Sequence, residues 1–110
     1  RTTVAVTLRW HGEEYAGTAT GPAGPSARLR LVGEAALRAI EKIIGDEALA
    51  LDAVAAPDVG MRRVVVAVVV GTGPRGEEVS VGSALSRGDD AHCTVRAVLD
   101  ALNRRIGRPD

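Results

Sequence analysis

Seven consecutive apolar residues, Val64 to Val70, six of them β-branched, constrain this chain more than any other stretch of it. The run has the length of a strand and is too short for an ordinary helix, and β-branching favours a pleated surface. It does not alternate with polar residues, so both faces of the strand need cover. Gly71-Thr72-Gly73-Pro74-Arg75-Gly76 follows, a turn by composition. Glu77 to Leu85 then reads as a strand with Val79, Val81 and Leu85 on one face. Asp89 or Asp90 caps a helix whose Val95, Val98, Leu99, Leu102 and Ile106 recur at spacings of three and four. The pattern predicts a sheet backed by helices and carries no chemical activity of its own.

The first half of the chain has the same ingredients. Thr3 to Trp10 alternates, with Val4, Val6, Leu8 and Trp10 on one face. His11-Gly12-Glu13 is a hairpin turn, and Glu14 to Thr20 returns as a strand. Gly17 within it marks a weak spot, a bulge or a close backbone approach. After Gly21-Pro22-Ala23-Gly24-Pro25, Ser26 caps a helix from about Ala27 to Ile44. Its buried stripe is Leu29, Val32, Ala36, Ile40 and Ile43, with Glu34 and Arg38 paired on the wet side and Gly45 as the stop. Leu49 to Ala55 is a further strand, and Ala56 to Gly60 a loop. The second helix ends at Gly107, before Pro109, with Arg96–Asp100 and Asp100–Arg104 along its exposed side.

Gly12-Glu13-Glu14 matches Gly76-Glu77-Glu78, and Leu37-Arg38-Ala39-Ile40 lines up with Leu99-Asp100-Ala101-Leu102. The expected fold is therefore one α+β domain over 1–110, with repeat units 1–46 and 47–110 related by a pseudo-twofold. Its order is ββα-βββα, with a mostly antiparallel sheet of about five strands and both helices on one face. Either Val64, Val66, Val68 and Val70 or Val65, Ala67 and Val69 then point away from the helices. A monomer seldom leaves such a stripe in water, so a homodimer is expected.

The 110 residues contain only two aromatics, Trp10 and Tyr15, so Val, Leu, Ile and Ala must build the core. Lys plus Arg and Asp plus Glu balance at 14 each, which removes any overall attraction to nucleic acid or an acidic membrane. Arg104, Arg105 and Arg108, with Arg62 and Arg63, form a basic group without interleaved aromatics, and helix C-termini already favour cations. Lys42 is the only lysine, a bias typical of GC-rich bacterial genomes. Cys93 is alone, which excludes an internal disulfide and a multi-cysteine zinc site and suits a reducing, cytoplasmic interior. No signal peptide or membrane span is read. The chain opens at Arg1 without a methionine, as a domain taken from something longer would.

Chemistry-bearing residues are few. Asp89, His92 and Cys93 could form a small active site, since a cysteine at a helix N-terminus can be thiolate-like. However, neighbours on a helix point about 100° apart, so His92 cannot serve Cys93 as a base. A phosphate loop would run from its strand straight into a helix, whereas Gly71 to Gly76 runs into another strand. Glu13-Glu14 and Glu77-Glu78 are consecutive in strands and face opposite ways, as solvated turn residues rather than metal ligands. No catalytic residue, metal or cofactor is assigned.

Two local patterns resemble the C-terminal regulatory domain, leucine-binding and dimerising, of the 2-isopropylmalate synthase and citramalate synthase family. Gly17-Thr18-Ala19-Thr20-Gly21-Pro22 before the first helix is similar to that domain's G-x-G-P-V-D-A turn. Gly82 to Asp89, with Ala101-Leu102-Asn103 at the helix end, is similar to its second turn and helix. The first turn here lacks V-D-A, and Leu85-Ser86-Arg87-Gly88 lengthens the second, so the resemblance implies the fold and not leucine itself. It implies a non-catalytic ligand-sensing and dimerising domain, attached to an enzyme or regulator. Gly21, Pro22, Gly82 and Asp89 would line the site of a small amino-acid-like effector. The alternatives are an assembly domain without ligand and the small enzyme just described.

Overall fold

The structure, a computed structural model, describes residues 1–45 and 48–106, the last three through their backbone alone. It is an α+β fold of antiparallel strands and two helices. Strands β1 (Thr2–Trp10) and β2 (Glu13–Gly21) form a hairpin, followed by helix α1 (Pro25–Ile44). Strands β3 (Leu49–Ala55), β4 (Asp58–Val59), β5 (Arg62–Gly73) and β6 (Gly76–Ser86) make a second sheet, followed by helix α2 (Asp90–Ile106). Among the described residues, six strands in two sheets thus stand in place of the expected single sheet of about five. The added strand is β4, where Asp58 and Val59 pair with Arg63 and Arg62 across a tight turn at Gly60 and Met61. The expected helix end at Gly107 and Pro109 lies outside the described residues, as do Arg108 and the side chains of Arg104, Arg105 and Ile106.

Strand β5 is the hub, pairing with β3 and β4 on one side and with β6 from Arg63 to Gly73 on the other. It runs past the valines because Gly71, Thr72 and Gly73 still pair, with Glu78, Glu77 and Gly76. Only Pro74 and Arg75 are left to turn. The first hairpin turns on His11 and Gly12, both at positive φ (51° and 78°), which suits the right-handed twist of the strands it joins.

Both helices pack on the inner faces. Val65, Ala67 and Val69 of β5 are fully buried there with Leu49 and Leu51 of β3, Val98 and Leu102 of α2, and Val32, Ala36 and Ile40 of α1. Leu29, Ile43 and Leu99 are half-buried rather than central. Helix α1 buries more than one stripe, with Ala35, Leu37 and Ala39 also sealed, because it meets the first hairpin, β3 and α2 at once. It starts at Pro25, not after Ser26. Gly24 takes φ 130° as the N-cap and no side chain caps it, since proline at N1 already has the helical φ and no N–H to satisfy. Gly45, at φ 103°, ends it as expected.

Polar side chains of α1 tie it to strand backbone. Arg30 and Arg38 donate to the carbonyls of Leu51 and Leu49, at 3.0 and 2.6 Å. Glu41 accepts the Leu49 N–H at 2.8 Å, and Lys42 donates to the Ala16 carbonyl of β2. The expected Glu34–Arg38 pair is replaced by Arg30–Glu34 and Arg38–Glu41, at 3.3 and 3.0 Å, because Arg38 turns toward β3. Asp100, expected to pair along α2, takes the Ser83 N–H of β6 at 3.0 Å.

Glycine sets the spacing between layers. A Cβ on Gly17 would collide with the Ala35 carbonyl and the Ala39 N–H of α1. A Cβ on Gly82 would collide with the Ala97 carbonyl and the Ala101 N–H of α2. Each helix lies backbone-to-backbone on the second strand of the hairpin before it. This parallel fits the aligned helices but not the Gly-Glu-Glu turns: Glu13 shares the face of Gly17, whereas Glu77 lies on the face opposite Gly82.

Gly17→Ala and Gly82→Ala are each expected to cost at least about 1–3 kcal/mol in a urea titration, the usual toll of overpacking. Thr18→Ala, on the exposed face beside Gly17, should stay within about 0.5 kcal/mol. Equal, small losses at all three positions would mean that the helices stand further from the strands.

Candidate functional site

Two places stand apart from the packed interior. The first is an open cleft of about 610 Å³ where both helices begin. Pro25, Ser26 and Arg28 of α1 form one wall, and Gly88, Asp89 and Asp90 at the start of α2 form the other. Val54 to Ala56 and Arg63 close its floor. The helix starts present N–H groups and the positive ends of two dipoles, and Arg28 and Arg63 add cationic side chains.

Most of the polar groups on the α2 side already have structural work. Asp89 is the N-cap: its Oδ1 accepts the His92 N–H at 3.0 Å and its carbonyl the Cys93 N–H at 3.1 Å. Asp90 ties α2 to the sheet, with Oδ2 2.8 Å from Arg63 Nε and Oδ1 accepting from Ser86 Oγ at 2.6 Å. Thr94, the fully buried hydroxyl, donates to the Asp90 carbonyl at 2.7 Å. Sequence reasoning missed the Arg63–Asp90 pair because register, not spacing, brings β5 to the start of α2.

The residues that the resemblance assigns to an effector site are distributed around this region. Asp89 lines the cleft. Pro22 lines a neighbouring hollow of about 320 Å³ with Gly24 and Leu31, and Arg28 borders both spaces. Gly21 is buried against Leu31, whose Cδ2 lies 2.9 Å from where a Cβ would stand. Gly82 sits mid-strand beneath α2, so its lack of a side chain serves packing. The structure therefore brings the two turns toward one end of the molecule without gathering all four residues around one cavity.

Cys93 is 3 % exposed, and its Sγ donates to the Ala84 carbonyl at 3.1 Å. Burial pushes its thiol above the ordinary range, outweighing the opposite pull of the Val65 backbone and Arg96. That is the reverse of what a thiolate nucleophile needs. Glu13 and Glu14 face opposite ways, as do Glu77 and Glu78. Among the described residues no group of three His, Cys, Asp or Glu could hold a metal ion, and no helix is long and apolar enough to cross a membrane.

The second place is the outer face of the larger sheet. Register puts Val64, Val66, Val68 and Val70 of β5 there, so this set, and not Val65, Ala67 and Val69, turns from the helices. Opposite them lie Leu85, Ser83, Val81 and Val79 of β6. On the other flank, Ala55, Ala53 and Ala50 of β3 oppose Val66, Val68 and Val70, in phase because Asp52 is bulged out of the ladder. Val79 and Val81 are 63 % and 64 % exposed, and Val59 of β4 extends the face at 60 %. The outer face of the first hairpin is a built-in contrast. There Thr3 faces Thr20, Thr7 faces Ala16 and Arg9 faces Glu14, an ordinary wet surface.

No family model matches the chain, and neither a curated protein nor a solved structure matches it.

The Cys93 geometry has a measurable consequence. Iodoacetamide at pH 7.5 is expected to label the native thiol roughly tenfold or more slowly than the urea-unfolded chain. Because the folded pKa lies above the unfolded one, the thiol's stabilising contribution is whole below the unfolded pKa and is lost as pH rises through the folded value. Cys93→Ala should remove that alkaline component. Rapid labelling at pH 6 would instead restore the nucleophile reading.

Proposed function

We propose that the chain is a non-catalytic regulatory domain that assembles as a homodimer through the outer face of its larger sheet. The observation that carries this reading is the contrast between the two outer faces. One hairpin turns threonine and an ion pair to water, while β3, β5 and β6 turn mainly valine, alanine and leucine, with Ser83 and the bulged Asp52 as the polar exceptions. Selection for solubility alone would not leave the second face apolar, and contiguous apolar patches of this kind mark contact surfaces. The resemblance to the regulatory domain of the 2-isopropylmalate synthase and citramalate synthase family supports the same role, carried beside a covalently linked enzyme or regulator in the cytoplasm.

A second, compatible role is effector sensing at the cleft between the helix starts. What favours it is that the cleft lies where the two turns singled out by the resemblance run into their helices. The α1 N-terminus and Arg28 suit the carboxylate of an amino-acid-like molecule, the α2 side being taken up by the Asp89 cap and the Arg63–Asp90 pair. An assembly domain without ligand differs from this reading only at the cleft.

Sedimentation equilibrium at micromolar concentration should give a dimer. Burying a valine is worth roughly 1.5–3 kcal/mol, and Val81 counts twice in a symmetric dimer. Val81→Lys is therefore expected to weaken association by roughly two orders of magnitude or more while leaving the circular dichroism of the fold unchanged. A wild-type chain that stays monomeric would sink the proposal. Titration calorimetry with branched-chain amino acids tests the effector separately: heat that disappears in Arg28→Ala supports the cleft, and no heat removes that role.

A further inference from the structure

Resting on the homodimer reading, we propose that the two copies pack face to face with their β5 strands antiparallel, so that Arg62 of each meets Glu77 of the other. Edge-to-edge growth of the sheet is obstructed chiefly at β3, where several backbone groups are taken, and at one position of β6. On β3, Arg30, Arg38 and Glu41 occupy the Leu49 and Leu51 backbone groups. On β6, Asp100 occupies the Ser83 N–H. A strand whose edge groups are already bonded to side chains is a poor template for another strand. The face carries no such guard.

Size favours use of the whole face. From Arg62 to Thr72 the sheet runs about 34 Å, and three strands span about 14 Å, a footprint of roughly 500 Å² before side-chain relief is counted. A standard interface takes about 800 Å² of accessible surface from each partner. A dimer on this face must therefore engage it to its ends, and the ends are where the charges lie. Of the strand positions on it, Arg62 opposite Val59 is charged at one end and Glu77 opposite Thr72 at the other. Between them the paired positions are apolar apart from Ser83. The one further charge is Asp52, exposed and unpaired in the ladder at the β3 bulge beside Ala53, on the flank of the face. Arg87 just past β6 and Arg75 in the β5–β6 turn are not strand positions.

Twofold symmetry leaves two ways to lay such a face on itself. With the axis along the strands, Arg62 falls on Arg62 and Glu77 on Glu77. With the axis across the strands, each Arg62 falls near the partner copy's Glu77, twice per dimer. Only the second arrangement turns the end charges into attraction, and the aligned packing of twisted sheets, at about −30°, accommodates it. The axis then passes near Val66 and Val68, and Val64 of one copy lies over Val70 of the other.

Charge reversal and cross-linking test this in the full chain. Arg62→Glu and Glu77→Arg are each expected to raise the dimer dissociation constant about tenfold at low salt, and the double reversal to restore it to within about threefold. In a Cys93→Ala background, Val64→Cys and Val70→Cys chains should form disulfides with each other when mixed and oxidised, and not with themselves. Self-cross-linking of Val64→Cys, or single reversals without effect in a chain that still dimerises, overturns the arrangement while leaving the homodimer standing. A wild-type monomer removes both.

Discussion

A helix and a strand can touch through their backbones only where the strand residue has no side chain. This fold depends on two such contacts, Gly17 beneath Ala35 and Ala39 and Gly82 beneath Ala97 and Ala101. They hold each helix so close to its hairpin that the remaining interior is thin. Valine, alanine and a few leucines then fill it without aromatic help, and Val65, Ala67, Val69 and Val98 reach full burial. Gly33 makes room of another kind, for side chains: its Cβ position lies 2.8 Å from Leu51 Cδ2 and 3.7 Å from Thr94 Cγ2. Small residues in this protein are structural parts with fixed partners.

Close packing on one side of the sheets leaves the other side to determine behaviour in solution. Edges and faces are treated differently. Backbone groups of Leu49 and Leu51 on the β3 edge, and the Ser83 N–H on β6, are bonded by side chains from the helices, which hinders strand addition at β3. The outer face of β3 to β6 is mostly apolar from Val59 to Val79, with Ser83 within it and Asp52 at its β3 flank, while that of β1 and β2 is polar. In the proposed homodimer, an engaged β3 edge beside an apolar face would direct association to the face, which separates specific pairing from indefinite growth.

Much of the architecture was legible in the residues. Alternation in Thr3 to Trp10, the β-branched run and the spacing of α2 all correspond to elements of the expected kind. Gly17 was readable as a weak spot, a bulge or a close backbone approach, and packing against Ala35 and Ala39 selects the last. Gly82, in a strand with weaker alternation, read as part of a turn; the small pair Ala97 and Ala101, four apart on the next helix, was the available signal. The phase of β5 was not legible, since both of its faces are apolar and only pairing with β3 and β6 decides between them. Nor were the arginine contacts, because the reach of Arg30 and Arg38 to β3 depends on tertiary placement and outweighs helical spacing. At the candidate cleft, a cap at Asp89 or Asp90 was legible from their place before the helix, and it is Asp89, whereas Arg28 and Arg63 arrive from elements distant in sequence.

Lys42 donates to the Ala16 carbonyl and so links α1 to the first hairpin. It is also the single lysine in a chain otherwise supplied with arginine. An acylating reagent or an acetyl-transferring enzyme therefore finds one side-chain amine to modify, and that amine bridges two structural elements. Removing its charge would weaken the bridge while leaving every guanidinium untouched, so that chemistry usually spread over a protein surface would act here like a mutation at one position.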